Sequence, residues 1–255
     1  SGCGVIISQY YGARDQNAVS KSVHTALAFS LLSGVVIMVL GLLLTDFSLR
    51  AMSLPEEIMP EATAYLRIFF LGMIPNLFYN MGAAVLRAIG DSKRPLYFLI
   101  LSCLCNIVLD LIFVAHLRLG VSGAALATIL SQLASAVMVL FVLLRTKSDV
   151  RLIPSQLRLE PFWLKKMIYV GLPAGLQSTM YTVSNIIVQA TINSFGTNTI
   201  AAVTAYGKMD VIFWMVINAF GIAITTFVGQ NYGAGKTERA FRGFRAALLL
   251  AAIGT

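Results

Sequence analysis

The sequence predicts an all-α polytopic membrane protein built as two lobes that repeat one another in the same orientation. Three observations carry this. Hydrophobic residues make up 58% of the 255-residue chain and charged residues only 12%, against about 25% charged in a soluble domain. Apolar runs of about 20 residues, the length a helix needs to cross hydrocarbon, recur along the chain. A short pattern also occurs twice: Gln9, Tyr11, Gly12 and Ala13 return as Gln230, Tyr232, Gly233 and Ala234, at one offset of 221 residues. Each copy ends an apolar run and opens a basic loop. Six apolar segments separate the copies, and an even number of crossings returns the second copy to the side of the first. The repeat is therefore parallel, a mark of two-lobed transporters.

The segments run at 23–45, 62–86, 95–117, 119–144, 167–194 and 201–230, with partial spans at 1–11 and 240–255. Both ends of the chain fall inside apolar runs, so a piece of a longer protein, cut at both ends, is expected. The longest connection, 145–166, holds Pro154, Pro161 and a dense set of charges. It divides the chain into an N-terminal lobe at 1–147, a linker at 148–166 and a C-terminal lobe at 167–255. The remaining loops are short, so successive helices are expected to pack as antiparallel neighbours.

Orientation follows from the distribution of Lys and Arg. Loops 12–22, 87–95, 145–166 and 231–245 hold fifteen of the nineteen basic residues, whereas the opposite loops hold Arg50 and Arg118 beside Asp46, Glu56, Glu57 and Glu61. The positive-inside rule places the first set in the cytoplasm, and the plasma (inner) membrane is the location expected. The net charge of +8 is thus a topological signal, and no nucleic-acid partner is expected. Cys3, Cys103 and Cys105 all lie in apolar runs, without disulfide or metal-ligand spacing. No phosphate-binding glycine loop, metallohydrolase helix or nucleophile elbow occurs, so neither an enzyme nor a cofactor is expected. His24 and His116 sit singly near helix ends, where an interfacial place is expected of them.

Polar groups inside the spans are expensive and so are functional candidates. Asp110 lies about seven residues from the outer end of its helix, roughly 10 Å deep. Asn106, four residues earlier, shares its face, and Thr128 reaches a similar depth on the returning helix. A carboxylate, an amide oxygen and a hydroxyl are the hard donors that small cations prefer; a lone carboxyl group could instead hold a proton, or simply bond a neighbouring helix. Lys208 and Asp210, two residues apart, cannot face one another on a helix, and each awaits a partner or a water-filled cavity. Gln177, Tyr181, Asn185 and Gln189 recur every four residues, a polar stripe that either glues helices together or lines a substrate cavity. Pro75 and Pro173 free a backbone carbonyl each and permit kinks.

Four segments, Ser8–Arg14, Arg87–Pro95, Gly171–Gly175 and Gly229–Ala234, in this order and spacing, resemble the MATE family of multidrug and toxic compound extrusion transporters, and in particular its DinF-like bacterial branch. The resemblance covers essentially the whole chain. It implies twelve helices in two six-helix lobes and cation-coupled antiport of organic, often cationic, drugs, driven by Na⁺ or H⁺ entry, by a protein expected to act as a monomer among membrane lipids. It also implies a coupling site of Asn106, Asp110 and Thr128, with any Na⁺ held at Asp110. The family's first-helix carboxylate would precede Ser1. No acid lies in 167–194, which speaks against coupling there; Lys208 and Asp210 would be the second lobe's charged feature. The alternative within the wider superfamily is a lipid-linked oligosaccharide flippase. Its cavity should be strongly basic, whereas the basic residues here are concentrated in the loops assigned to the cytoplasm.

Overall fold

A computed structural model describes residues 2–51, 55–193 and 195–254, and every regular element among them is helical. The order is α1 (Gly2–Gly12), α2 (Gln16–Ala51), α3 (Met59–Leu71), α4 (Met73–Ala88), α5 (Lys93–Asp110), a π-helical segment (Leu111–His116), α6 (Gly120–Arg145), a 3₁₀ turn (Pro154–Gln156), α7 (Pro161–Asn193), α8 (Thr197–Gly233) and α9 (Thr237–Gly254).

The helices reach further than the apolar segments that announce them. The loop read as 12–22 shrinks to three residues between α1 and α2, and that read as 231–245 shrinks to three between α8 and α9. A helix has no reason to stop where hydrocarbon stops, so the basic residues ride on helical turns outside the apolar window. Four helical segments, Gln16–Ala51, Lys93–His116, Gly120–Arg145 and Ala202–Gly233, are long and apolar enough to cross a membrane. The segment at 62–86 is realised as α3 and α4, bent by 43° at Gly72. Pro75 has no N–H to give the Leu71 carbonyl, so the ladder breaks there and resumes with the Asn76 amide on the Gly72 carbonyl at 3.1 Å. The fifth segment, read as 167–194, forms the 33-residue helix α7 but is not among the sufficiently apolar ones. Its polar stripe, with Ser178, Thr179, Thr182 and Ser184 besides, lowers its hydropathy; Ser194, where that segment was read to end, lies outside the described residues.

Residues 17–164 form one compact unit and residues 1–16 with 165–255 form another. In the first, the core lies where the N-terminal half of α2 (Val19, Val23, Ala26, Leu27) meets the C-terminal halves of α4 (Val85, Leu86) and α6 (Val139, Leu143), all buried. Val150 and Leu152 of the linker are buried too, tied by the Leu152 amide to the Leu143 carbonyl at 2.8 Å. Small residues let helices approach: a Cβ on Gly41 would overlap the Phe70 ring, and one on Gly82 would overlap Val139. Along the rest of α2 and α5, large apolar side chains such as Leu43, Phe47, Leu99 and Leu104 are exposed. In water that would be an aggregation hazard; in hydrocarbon it is the expected surface.

The second unit pairs α1 with α8, and α8 with α9. The two copies of the repeated pattern end their helices with the same cap. The Ala13 amide bonds the Gln9 carbonyl at 2.9 Å, Arg14 bonds Tyr11 at 3.1 Å and Asp15 bonds Tyr10 at 3.1 Å. In the other copy Ala234 bonds Gln230 at 3.0 Å, Gly235 bonds Tyr232 at 3.0 Å and Lys236 bonds Asn231 at 2.8 Å. Arg14 and Gly235, corresponding residues, are both left-handed, with φ of 59° and 71°. The repeat is thus one of backbone conformation as well as of residue type.

A candidate ion site on the fifth helix

Helix α5 runs antiparallel to α6, and the pair is pinned by Ser102, whose hydroxyl donates to the Ser131 carbonyl at 2.6 Å in a buried position. That bond fixes the register. One turn further along α5, Asn106 comes level with Ala127 and Thr128; one more turn brings Asp110 level with Gly123 and Ala124. Asn106 and Asp110 are therefore stacked on one face of α5. Among the described residues, the buried side-chain nitrogen and oxygen atoms with no hydrogen-bond partner are Asn106 Nδ2 and Asp110 Oδ1. Buried polar groups are nearly always paired, and each exception calls for a reason. Thr128 Oγ1 donates its proton to the Ala124 carbonyl at 3.0 Å, which leaves its oxygen lone pairs as acceptors.

The chain changes pitch at the same place. Directly after Asp110 the helix widens into the π-helical segment Leu111–His116, closed by the Leu117 amide on the Ile112 carbonyl at 2.8 Å. Such wide turns inside helices gather at functional sites. Gly123 allows the close approach: a Cβ there would come within 3.2 Å of Phe113. No cluster of three His, Cys, Asp or Glu side chains that could hold a metal occurs among the described residues. The donors here are one carboxylate, one amide and one hydroxyl, suited to a small hard cation or a proton rather than to a transition metal.

The other sequence candidates lie in the second unit. Gln177, Tyr181, Asn185 and Gln189 follow one another along α7, all exposed. Tyr181 meets Trp214 of α8 edge to face, with ring centroids 5.7 Å apart, and Trp214 Nε1 donates to Asp210 Oδ2 at 3.1 Å. This chain of contacts connects the α7 stripe to Asp210. Lys208 is exposed and makes no ion pair among the described residues; as expected from the spacing, it does not pair with Asp210.

Two contacts lie outside what the sequence predicts. Arg67, inside the segment 62–86, donates to Asp46 at 2.8 Å, joining α3 to the end of α2. The signal was present: once the loops are counted, Arg67 and Lys208 are the basic residues left over. His24, expected at the interface, is 2% exposed. Its Nδ1–H donates to the Ser20 carbonyl at 2.7 Å and its Nε2 accepts the Ile153 amide at 2.9 Å, so it ties α2 to the linker. Nothing in the sequence marks that contact, which spans 129 positions.

The fold and the site together define an integral membrane protein of several apolar helices, one of which carries an amide and a carboxyl group with a buried, partnerless atom each. The MatE family model matches residues 1–112 and 173–254, and the chain belongs to that family. The probable multidrug resistance protein YpnP of Bacillus subtilis is 33% identical over 238 residues, 92% of this chain and 52% of that protein. The probable multidrug resistance protein YoeA of the same organism is 30% identical, covering 94% of this chain and 53% of that protein. Among solved structures, an outward-facing multidrug resistance MATE family transporter of the MOP superfamily superposes with a TM-score of 0.91 at 27% identity, covering 98% of this chain and 56% of that one. The chain spans about half the length of the relatives it matches.

Proposed function

We propose that this chain is part of a secondary antiporter that exports organic, often cationic, compounds across the plasma membrane in exchange for entering Na⁺ or H⁺. The observation that carries the reading is the buried pair of partnerless atoms on α5, Asn106 Nδ2 and Asp110 Oδ1. An orphaned carboxylate oxygen costs free energy in a low-dielectric surrounding, and taking up a cation or a proton removes that cost. Asp110 is the group that binds the coupling ion, Asn106 orients it, and Thr128 offers a further oxygen from α6. Ion uptake shifts the protein between states in proportion to its different affinity for them. The relatives named as multidrug resistance proteins support the substrate class.

In this reading residues 1–147 belong to the N-terminal lobe, 148–166 to a cytoplasmic linker and 167–255 to the C-terminal lobe, with loops 12–22, 87–95 and 231–245 on the same side as the linker. The polar stripe Gln177, Tyr181, Asn185 and Gln189 serves the substrate path, and Lys208 with Asp210 supplies its charged feature. The working unit is a monomer. The test is ethidium efflux from cells carrying full-length protein with Asp110→Asn, under imposed Na⁺ or H⁺ gradients. The substitution is expected to abolish gradient-dependent export while the protein is still made and inserted. Undiminished gradient-dependent export would remove Asp110 from the coupling step.

A further inference from the structure

A polar cavity of about 330 Å³ lies within the unit formed by residues 17–164. One wall is α2, which presents Asn17, Ser20, Lys21, His24 and Thr25. Steps of three, one, three and one place all five on a single face over the first turns of the helix. A polar stripe of that kind at the start of an apolar helix plays no part in the ion site on α5.

The opposite wall is the linker, with Ser155, Arg158 and Glu160 among its residues. Two hydrogen bonds hold it there: the Ile153 amide donates to His24 Nε2 at 2.9 Å, and the Glu160 amide donates to Thr25 Oγ1 at 3.5 Å. Glu160 is already engaged, because Arg158 Nη2 and Nε reach its Oε1 at 2.6 and 2.9 Å. Lys21 makes no ion pair among the described residues. The cavity therefore carries one uncompensated cation surrounded by hydroxyl and amide donors, the set that recognises a phosphate oxyanion.

The other side of the same linker turn is greasy. Leu152, Pro154 and Leu157 face a second cavity of about 420 Å³, walled by Leu31 of α2 and by Leu140 and Leu144 of α6, with almost no polar lining. The 3₁₀ turn Pro154–Gln156 thus stands where polar surroundings give way to apolar ones, the level at which a phospholipid joins its headgroup to its chains. Basic pockets at the cytoplasmic ends of membrane helices are suited to anionic headgroups.

We propose that the polar cavity binds the phosphate of an anionic phospholipid headgroup, with Lys21 as its principal cation, and that the bound lipid fastens the linker to α2. This does not rest on the ion-coupling reading. The test is native mass spectrometry of the delipidated protein in detergent, after addition of dioleoyl phosphatidylglycerol or dioleoyl phosphatidylcholine, with and without inorganic phosphate. Lys21→Gln removes one charge-assisted contact and is expected to cut phosphatidylglycerol retention about tenfold. Lys21→Arg should retain it, and Lys236→Gln, an exposed basic residue between α8 and α9, should leave it unchanged. Lys21 is exposed, so the unfolding temperature of the lipid-free variant should match that of the parent. Equal retention by Lys21→Gln and the parent, or an equal loss in Lys236→Gln, would overturn the site. Displacement of the lipid by millimolar inorganic phosphate would overturn the lipid assignment in favour of a soluble phosphate.

Discussion

Gly12 of α1 lies so close to Gln230 of α8 that a Cβ on the glycine would overlap the glutamine's backbone carbonyl, and Gly233 stands in the same relation to Gln9. Positions 9 and 230 correspond in the repeat, as do 12 and 233. The contact is therefore reciprocal, each copy seating its glycine on the other copy's glutamine, as in a two-fold interface between identical subunits. An axis of that kind must bring some pair of corresponding positions face to face. Ser8 and Gly229 are that pair, the Ser8 side chain filling the space a Cβ on Gly229 would need. The sequence repeat and the helix crossing are one feature seen at two levels.

Gly12→Ala and Gly233→Ala are accordingly expected to destabilise the protein by similar amounts, about 1–3 kcal/mol each, because backbone cannot move aside as a flexible side chain can. The double variant should lose less than the sum, since helices already forced apart by one methyl group accommodate the second. Thermal unfolding in detergent of the two single variants and the double variant checks this. A strictly additive loss would mean that the two contacts open independently.

The matching caps give a prediction of opposite signs. Arg14 holds a φ of 59° and Gly235 a φ of 71° at the same position of the two copies. A side chain in the left-handed region is strained, whereas glycine is not. Arg14→Gly should therefore stabilise its turn, or leave it unchanged once the extra freedom of the unfolded glycine is counted, while Gly235→Ala should cost about 1 kcal/mol. Unfolding temperatures of the two variants, measured against the parent, decide it.

How far the sequence reaches is visible in these same residues. The repeat, the class and the candidate pair on α5 were legible because each is local: periodicity, composition, and a four-residue spacing on one helix. The antiparallel run of α5 and α6 was legible from their short connection, but the register was not: the sequence sets Thr128 at the depth of Asp110, whereas the Ser102–Ser131 bond brings it level with Asn106. The Arg67–Asp46 pair, the reciprocal glycine contacts and the binding of Ile153 by His24 were not, because they join residues far apart in the chain and depend on how helices cross. Helix ends were misjudged for a further reason: hydropathy reports where hydrocarbon ends, and a helix ends where its caps are.

His24 is expected to govern the order of the linker. Removing the ring in His24→Ala leaves the Ile153 amide without its acceptor and opens space beneath the linker, a loss of about 1–3 kcal/mol confined to that segment. His24→Phe restores volume without the acceptor and should not rescue it. Limited trypsin digestion reads this directly, because Arg151 and Arg158 are exposed in the linker. Both variants should be cut there faster than the parent. Cleavage at an unchanged rate in His24→Ala would mean that the buried packing of Val150 and Leu152 alone holds the linker.

Asn106 separates stability from function. Its Nδ2 is buried without a partner, so the folded protein bears the desolvation of a donor that bonds nothing. Asn106→Leu replaces the amide with an apolar group of similar size and should raise stability, by up to about 1–3 kcal/mol if the donor is fully unpaid in the parent. The same change deprives Asp110 of its polar neighbour one turn away and should weaken ion-dependent efflux. A residue kept for fold alone would show the two effects with the same sign, since loss of packing lowers both. Higher unfolding temperature together with lower gradient-driven export is the expected signature, and a variant that is less stable yet fully active would assign Asn106 to the scaffold.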